Sequence, residues 1–127
     1  METKEKYELE VDVNASRSLL FQYIATPEGL AAWYADKVHY KTPYYTFVWD
    51  GVEEKALLLR KKEDDLIRFH WESDEQADTF FEIKIKVNEM TQETSLVVTD
   101  FAPLNEIEEA KNLWIKQIST LKSQIGG

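Results

Sequence analysis

The chain has 127 residues, with 24 acidic against 15 basic side chains and a formal net charge of −9. That length is typical of one domain, so we predict a single domain over residues 1–127 that buries a core without disulfides or metal ions. The lack of cysteine excludes disulfides and thiolate catalysis, and the negative charge disfavours nucleic acid and anionic membrane surfaces as partners.

Nothing in the chain has the pattern of a targeting or membrane segment. The N-terminal residues lead into an alternating pattern without the apolar core of a signal peptide. The longest apolar run, residues 30–35, is far shorter than the roughly 18 residues of a membrane span. We therefore expect a cytoplasmic protein that does not insert into a membrane.

One strand and two short helices are predicted first. Residues 7–13 alternate between apolar and charged side chains, which is typical of a half-buried strand. Apolar residues then recur at helical spacing, and Thr26 and Pro27 fit the N-cap and first position of a second, separate helix. The predicted buried face of the first helix consists of Leu19, Leu20, Tyr23 and Ile24.

Residues 44–101 predict consecutive strands joined by short turns, which implies antiparallel pairing. Asp50-Gly51 is a hairpin signal. Apolar and charged positions alternate, so one face of the sheet is expected to be buried and the other solvated. The facing of the leucines at 57–59 stays open, and the acidic segment 73–78 is expected to be a solvated loop.

A long helix over residues 106–125 is predicted to follow the last strand, which Pro103 ends. The only large apolar surface available to this helix is the inner face of the sheet, and a long sheet twists and curls. We predict an α+β fold, in which a curved antiparallel sheet of about six or seven strands wraps around the C-terminal helix. Its buried stripe is Ile107, Ala110, Trp114, Ile118, Leu121 and Ile125.

Several short segments, in this order, resemble the START-like helix-grip superfamily, also called SRPBCC. Within it the chain is similar to the Hsp-ATPase-activator homologues and to the compact START-like proteins of Bacteroidetes. The resemblance covers nearly the whole chain and implies a pocket between sheet and long helix. Members bind lipids, hormones or polyketides, some are enzymes, and the Hsp-activator relatives act as co-chaperones. The segments are residues 26–30, 33–35, 45–51 and 67–72, with Leu113-Trp114 and Leu121-Lys122 in the closing helix.

Large aromatic side chains dominate the predicted inner surface. Together with the resemblance they favour a non-catalytic domain that binds a lipid-like or other hydrophobic small molecule between sheet and helix. The alternative is that the rings fill the core, which would favour a protein-interaction or co-chaperone-like module or a homodimer. The candidate ligand-binding residues are Trp33, Tyr45, Phe47, Trp49, Phe69, Trp71, Phe81 and Trp114, with Trp49, Trp71 and Trp114 as the main walls.

Catalytic and metal-binding patterns are weak. His39 and His70 lack the spacing of metal ligands, and His70 is expected to face solvent. Glu72 and Asp100 lie near strand ends and could reach a pocket mouth, but the inward faces are predicted to be almost wholly apolar. We predict no catalytic residue, metal site or cofactor. Two titratable groups converging in the pocket would instead favour a cyclase or hydrolase-type enzyme.

Overall fold

The structure, a computed structural model, describes residues 3–126, and its elements follow the predicted order. One strand comes first, two short helices follow, six strands run consecutively, and a 19-residue helix comes last. The strands are β1 (Lys4–Asp12), β2 (Lys37–Lys41), β3 (Tyr44–Trp49), β4 (Val52–Lys62), β5 (Leu66–Trp71), β6 (Phe81–Val87) and β7 (Thr94–Pro103). The helices are α1 (Arg17–Ala25), α2 (Pro27–Ala31) and α3 (Ile107–Ile125), the last preceded by a 3-10 turn at Leu104–Glu106.

The seven strands form one curved, open antiparallel sheet in the order β1-β7-β6-β5-β4-β3-β2. From β2 to β7 each strand pairs with its neighbour in sequence, because the connections are too short for any other pairing. β1 instead pairs with β7 and places Tyr7 opposite Asp100. At the predicted hairpin, Asp50 and Gly51 have φ angles of 49° and 76°, the left-handed geometry that Asp-Gly turns adopt. The predicted fold class is confirmed.

Two hydroxyl side chains fix the ends of the short helices. Ser16 Oγ accepts the N–H of Leu19 at 3.2 Å and caps α1. Thr26 Oγ1 donates to the Gln22 carbonyl at 2.6 Å and accepts the N–H of Gly29 at 2.9 Å, so one side chain links both helices. The predicted cap at Thr26 is confirmed. The helices approach so closely that a Cβ atom on Gly29 would collide with the Gln22 carbonyl oxygen.

The core lies between the inner face of the sheet and the three helices. α3 packs against β1 and β7, and α1 packs against β5 and β6. Alternate positions of β3, β5, β6 and β7 face inward, as the period of two predicts. The buried inner side chains of these strands are Tyr45, Phe47, Ile67, Phe69, Phe81, Ile83, Ile85, Leu96, Val98 and Ala102, and α3 adds Trp114, Ile118 and Leu121.

One local feature differs from the sequence prediction, and another explains a facing that the sequence left open. Leu19, predicted on the buried face of α1, is 40% exposed, because α1 turns Leu20 and Ile24 into the core instead. In β4 the pairing register shifts between Leu58 and Arg60. An irregularity of this kind breaks the alternation of a strand, which is why the run of leucines in β4 predicts no single facing.

The acidic segment 73–78 is the loop that the sequence predicts, and four of its six residues are exposed while Asp74 and Gln76 are half-buried. Asp74 accepts hydrogen bonds from Lys4 Nζ at 2.9 Å and from Thr79 Oγ1 at 2.6 Å, which ties the segment to the start of β1. His70 is half-buried rather than solvent-facing, with Nδ1 2.8 Å from the Thr79 carbonyl oxygen. The bonds of Lys4, from Nζ to Asp74 and from the backbone N–H to Gln76 Oε1, hold the half-buried part of the segment against the start of β1.

Two isoleucines of α3 test the placement of this helix. Ile118 is fully buried and Ile115 is 47% exposed. We expect Ile118→Ala to lower the free energy of unfolding by about 2–5 kcal/mol, because it removes buried methyl groups and leaves a cavity. The same change at Ile115 should alter it by less than about 0.5 kcal/mol. Urea unfolding of both variants measures this, and equal losses would contradict the described packing.

Candidate ligand-binding site

An open cleft lies beside α3, at the end of the sheet where β1 begins and β3 and β7 end. Its volume is about 410 Å³, within the range of roughly 300–1,000 Å³ for small-molecule sites. We call it the aromatic cleft. It is lined by Tyr7, Tyr34, Trp49, Asp100, Ala110, Leu113, Trp114 and Gln117.

The carboxylate of Asp100 anchors this cleft. Asp100 follows Leu96 and Val98 at a spacing of two, so it faces the helix side of the sheet. Its Oδ2 accepts the hydroxyl of Tyr7 at 3.2 Å and Nε1–H of Trp114 at 3.0 Å. Its Oδ1 accepts the backbone N–H of residue 101 at 2.7 Å. One side chain of β7 thus binds β1 on one side and α3 on the other.

The protonation of these groups follows from their burial. Burial raises the pKa of Asp100 above its ordinary value, and its hydrogen bonds and the charge of Lys4 oppose that rise without cancelling it. Burial, with the charge of Asp100, raises the pKa values of Tyr7 and Tyr34 as well. Both phenols therefore stay protonated, and Asp100 is the group in this cleft whose charge responds to moderate pH.

The ring of Tyr34 contacts both tryptophans of the aromatic cleft. α2 ends at Ala31, and the N–H of Tyr34 returns to the Leu30 carbonyl at 2.8 Å, which turns the ring into the interior. The ring stacks on Trp114 with centroids 5.2 Å apart and meets Trp49 edge-on at 5.3 Å. Such pairs add about 0.5–1.5 kcal/mol each beyond burial.

The backbone carbonyl of Tyr34 accepts hydrogen bonds from two side chains that also line the cleft. Its carbonyl oxygen accepts Nε1–H of Trp49 at 2.8 Å and Nε2–H of Gln117 at 3.2 Å. The two donors come from β3 and α3, so the sheet and the helix both fix this residue. The cleft therefore has walls with little freedom to reorganise, as pre-formed ligand sites do.

A second, larger cleft of about 530 Å³ adjoins the first and shares Trp49 with it. We call it the acidic cleft. Apart from its two tryptophans its lining is polar, so it offers less apolar surface to a ligand. It is lined by Lys4, Trp49, Glu54, Trp71, Ser73, Asp74, Glu75 and Gln76.

Sequence comparison places the chain in a family. A model of the START-like superfamily domain matches residues 1–127. The chain belongs to the START-like superfamily. The resemblance drawn from the sequence is thereby confirmed, whereas no curated protein is significantly similar to the chain.

Solved structures show the same fold. BfR322 from Bacteroides fragilis is 37% identical over 98% of this chain and 93% of that chain, with a TM-score of 0.68. The Aha1 dimer from Colwellia psychrerythraea is 12% identical over 93% of each chain, with a TM-score of 0.75. SSP2350 from Staphylococcus saprophyticus is 16% identical over 96% of this chain and 92% of that chain, with a TM-score of 0.77. The last two are similar in fold alone.

The eight candidate binding residues of this START-like domain fall into three groups. Trp49 and Trp114 line the aromatic cleft, and Trp71 lines the acidic cleft. Trp33 lies against the short helices, where its Nε1–H donates to the Tyr23 carbonyl at 2.8 Å. The other four rings are buried and contact one another at centroid distances of 4.9 to 6.3 Å; they are Tyr45, Phe47, Phe69 and Phe81.

The polar part of the site is larger than the sequence predicts. The inner face is not wholly apolar, because Asp100 and the hydroxyl of Tyr7 meet there. Glu72, the other acidic candidate, is exposed and lines neither cleft. The spacing of Asp100 from Val98 was a usable signal, but Tyr7 joins the site only through the β1–β7 pairing, which local pattern does not reveal.

Two further observations bear on metal and membrane roles. Among residues 3–126, no three acidic or histidine side chains cluster in a way that could hold a metal ion. Over the same residues, no helix has the length and apolar character needed to cross a membrane.

Two isosteric substitutions should show opposite pH dependence of stability. The raised folded pKa of Asp100 means that its carboxyl stabilises the fold at low pH and that this contribution is lost as pH rises through the folded pKa. Relative to wild type, Asp100→Asn should therefore gain stability as pH rises from about 4, the pKa of an unfolded aspartate, through the higher folded pKa. The gain is roughly 1.4 kcal/mol for every tenfold difference in proton affinity between the folded and the unfolded carboxyl.

Asp74 serves as the matched case with the opposite sign. Burial raises its pKa, but hydrogen bonds from Thr79, Lys4 and the N–H of Gln76 outweigh burial and lower the pKa below its ordinary value. Its contribution is present above the unfolded pKa and is lost as pH falls through the folded one. Asp74→Asn should thus lose stability relative to wild type as pH rises through the lowered folded pKa towards about 4, the pKa of an unfolded aspartate. Urea unfolding across pH measures both variants, and slopes of the same sign would refute this description.

Proposed function

We propose that this START-like domain is a non-catalytic binding domain, and that it holds a small molecule with a large apolar surface in the aromatic cleft. The observation that supports the proposal most strongly is the composition of this cleft. It combines rigid aromatic walls with one fixed carboxylate, in a volume suited to a small molecule. Trp49 and Trp114 are the proposed main contacts, with Trp71 at the adjoining opening.

The energetic argument is one of apolar burial. Covering apolar surface contributes about 25 cal/mol per Å², from which ordering and association costs are subtracted. Those costs are small where the walls are already fixed. Here Trp49 and Gln117 are both bonded to the Tyr34 carbonyl, and Trp114 is bonded to Asp100. The proposed site therefore loses little side-chain freedom when it is occupied.

The buried rings beneath the cleft define how deep a ligand can go. Phe47 and Phe69 have no exposed surface, and their centroids are 5.7 Å apart. Interiors packed at this density leave no room for a further molecule. We therefore place the ligand at the end of the sheet, between Trp49 and α3, and not in the middle of the core.

An enzymatic role has less support, although titratable groups do converge in the cleft. Tyr7 and Tyr34 have raised pKa values and remain proton donors. Asp100 already accepts three hydrogen bonds, which occupy most of the acceptor sites of a carboxylate. General acid–base catalysis needs a group that can both take up and release the proton, and besides this occupied carboxylate the lining offers phenols, indoles, one amide and apolar side chains.

A protein-interaction role is the second candidate, and individual exposed apolar side chains favour it. Leu104, Leu113 and Ile115 are exposed large apolar residues at and before α3. The structural neighbour Aha1 was solved as a dimer. A second copy of the chain, or another protein, is the proposed partner in this case, and co-chaperone-like activity would be one form of it.

Filling the cleft tests the proposal without removing core contacts. Ala110 lines the aromatic cleft, whereas Asn112 lies on the exposed side of the same helix. We expect wild type and Asn112→Phe to form a one-to-one complex with the neutral dye N-phenyl-1-naphthylamine, and Ala110→Phe to form none. Native mass spectrometry and dye fluorescence measure the complex.

Each outcome decides between the candidates. Equal dye binding by Ala110→Phe and wild type would refute the aromatic cleft as the site. A concentration-dependent dimer peak without any dye complex would support the protein-interaction role instead. Circular dichroism of both variants serves as the control for folding.

A further inference from the structure

The charges around the two clefts are strongly unbalanced. Four carboxylates line them, those of Glu54, Asp74, Glu75 and Asp100, against one ammonium group, that of Lys4. The ammonium of Lys4 is 2.9 Å from the Asp74 carboxylate and is neutralised by it. Among residues 3–126, no ion pair is found for the other three carboxylates.

Within the aromatic cleft, the described lining residues carry negative charge alone. Asp100 is the one charged residue among the residues described there, and its neighbours are rings, apolar side chains and one amide. Its negative charge acts on the neighbouring rings, since it adds to burial, the larger cause, in raising the pKa of both tyrosine hydroxyls. Such a field attracts cations and repels anions before any contact is made.

Geometry leaves the carboxylate able to act on a ligand. Its bonds to Tyr7, Trp114 and the backbone N–H of Phe101 come from uncharged donors, so they fix the carboxylate without cancelling its charge. A fixed carboxylate attracts a nearby cation by its charge alone, and this attraction is stronger at a partly buried position than in bulk water.

The surrounding rings favour the same class of ligand. Tyr7, Tyr34, Trp49 and Trp114 line the cleft with Asp100. Aromatic rings attract cations through their quadrupoles. They also bury the apolar part of a molecule. A carboxylate and several rings in one cleft therefore complement a molecule that is both cationic and apolar.

We propose that the aromatic cleft selects organic cations, namely alkyl- or arylammonium ions, with the charged nitrogen next to Asp100 and the apolar group against Trp49 and Trp114. This inference rests on the proposed function, since it names the ligand class of the same site. It separates the domain from carriers of fatty acids or other anionic amphiphiles, which the field of this cleft repels.

Three probes of nearly one shape test the selectivity. They are benzyltrimethylammonium, its neutral isostere neopentylbenzene, and the anion phenylmethanesulfonate. Binding is followed by the shifts of the tryptophan Nε1–H resonances of ¹⁵N-labelled protein. We expect the cation to shift those of Trp49 and Trp114, to bind at least about tenfold more tightly than the neutral isostere, and the anion to give no shift.

A charge-matched pair of variants tests the role of Asp100. Asp100→Asn should lower the affinity for the cation about tenfold and leave the affinity for the neutral isostere within about twofold, the level of measurement error. Glu63→Gln, an exposed residue in the turn between β4 and β5, makes the same change in net charge and should leave both affinities unchanged. If Asp100→Asn does not fold, the selectivity of the wild type among the three probes decides alone.

The outcomes separate this inference from the proposed function. Equal or tighter binding of the neutral isostere, or an unchanged cation affinity in Asp100→Asn, would overturn cation selectivity and leave the apolar binding site standing. Preferential binding of phenylmethanesulfonate would do the same. If none of the three probes shifts any tryptophan resonance, both the ligand class and the proposed binding function are wrong.

Discussion

The hydrogen bonds of Asp100 connect the first strand of the chain to its last strand and its last helix. Through Tyr7 they reach the first strand, and through Trp114 they reach the last helix. A buried carboxylate is costly unless donors surround it, so the β1–β7 register and the position of α3 must both be correct for Asp100 to be tolerated. The same bonds place a negative charge at the mouth of an aromatic cleft.

The interior of the domain and the end of the sheet have different roles. In the interior, Tyr45, Phe47 and Phe69 pack edge to face and are fully buried, and the Tyr45 hydroxyl donates to the Ala25 carbonyl at 2.7 Å. At the end, Trp49 remains half-exposed and the packing opens into a cleft. Stability is thus supplied by the filled part, and recognition is assigned to the open part.

Most of the fold could be predicted because short-range sequence patterns specify its strands, helices and turns. Alternation marks the strands, and Thr26 and the Asp50-Gly51 turn mark boundaries that local hydrogen bonds then satisfy. The site could be predicted only in part. Trp49 and Trp114 were predicted as binding residues, but Tyr34 was not, because it meets them only when the segment after α2, β3 and α3 come together, which local pattern does not show.

Solvent access to individual rings tests the central claim, a filled interior with an aromatic cleft at one end, most directly. A small uncharged paramagnetic probe such as 4-hydroxy-TEMPO can be added to protein with labelled aromatic side chains. We expect the resonances of Trp49 to broaden strongly while those of Phe47 and Phe69 stay sharp. Broadening of the Phe47 and Phe69 resonances to the same extent would show a cavity inside the sheet and would contradict a filled interior.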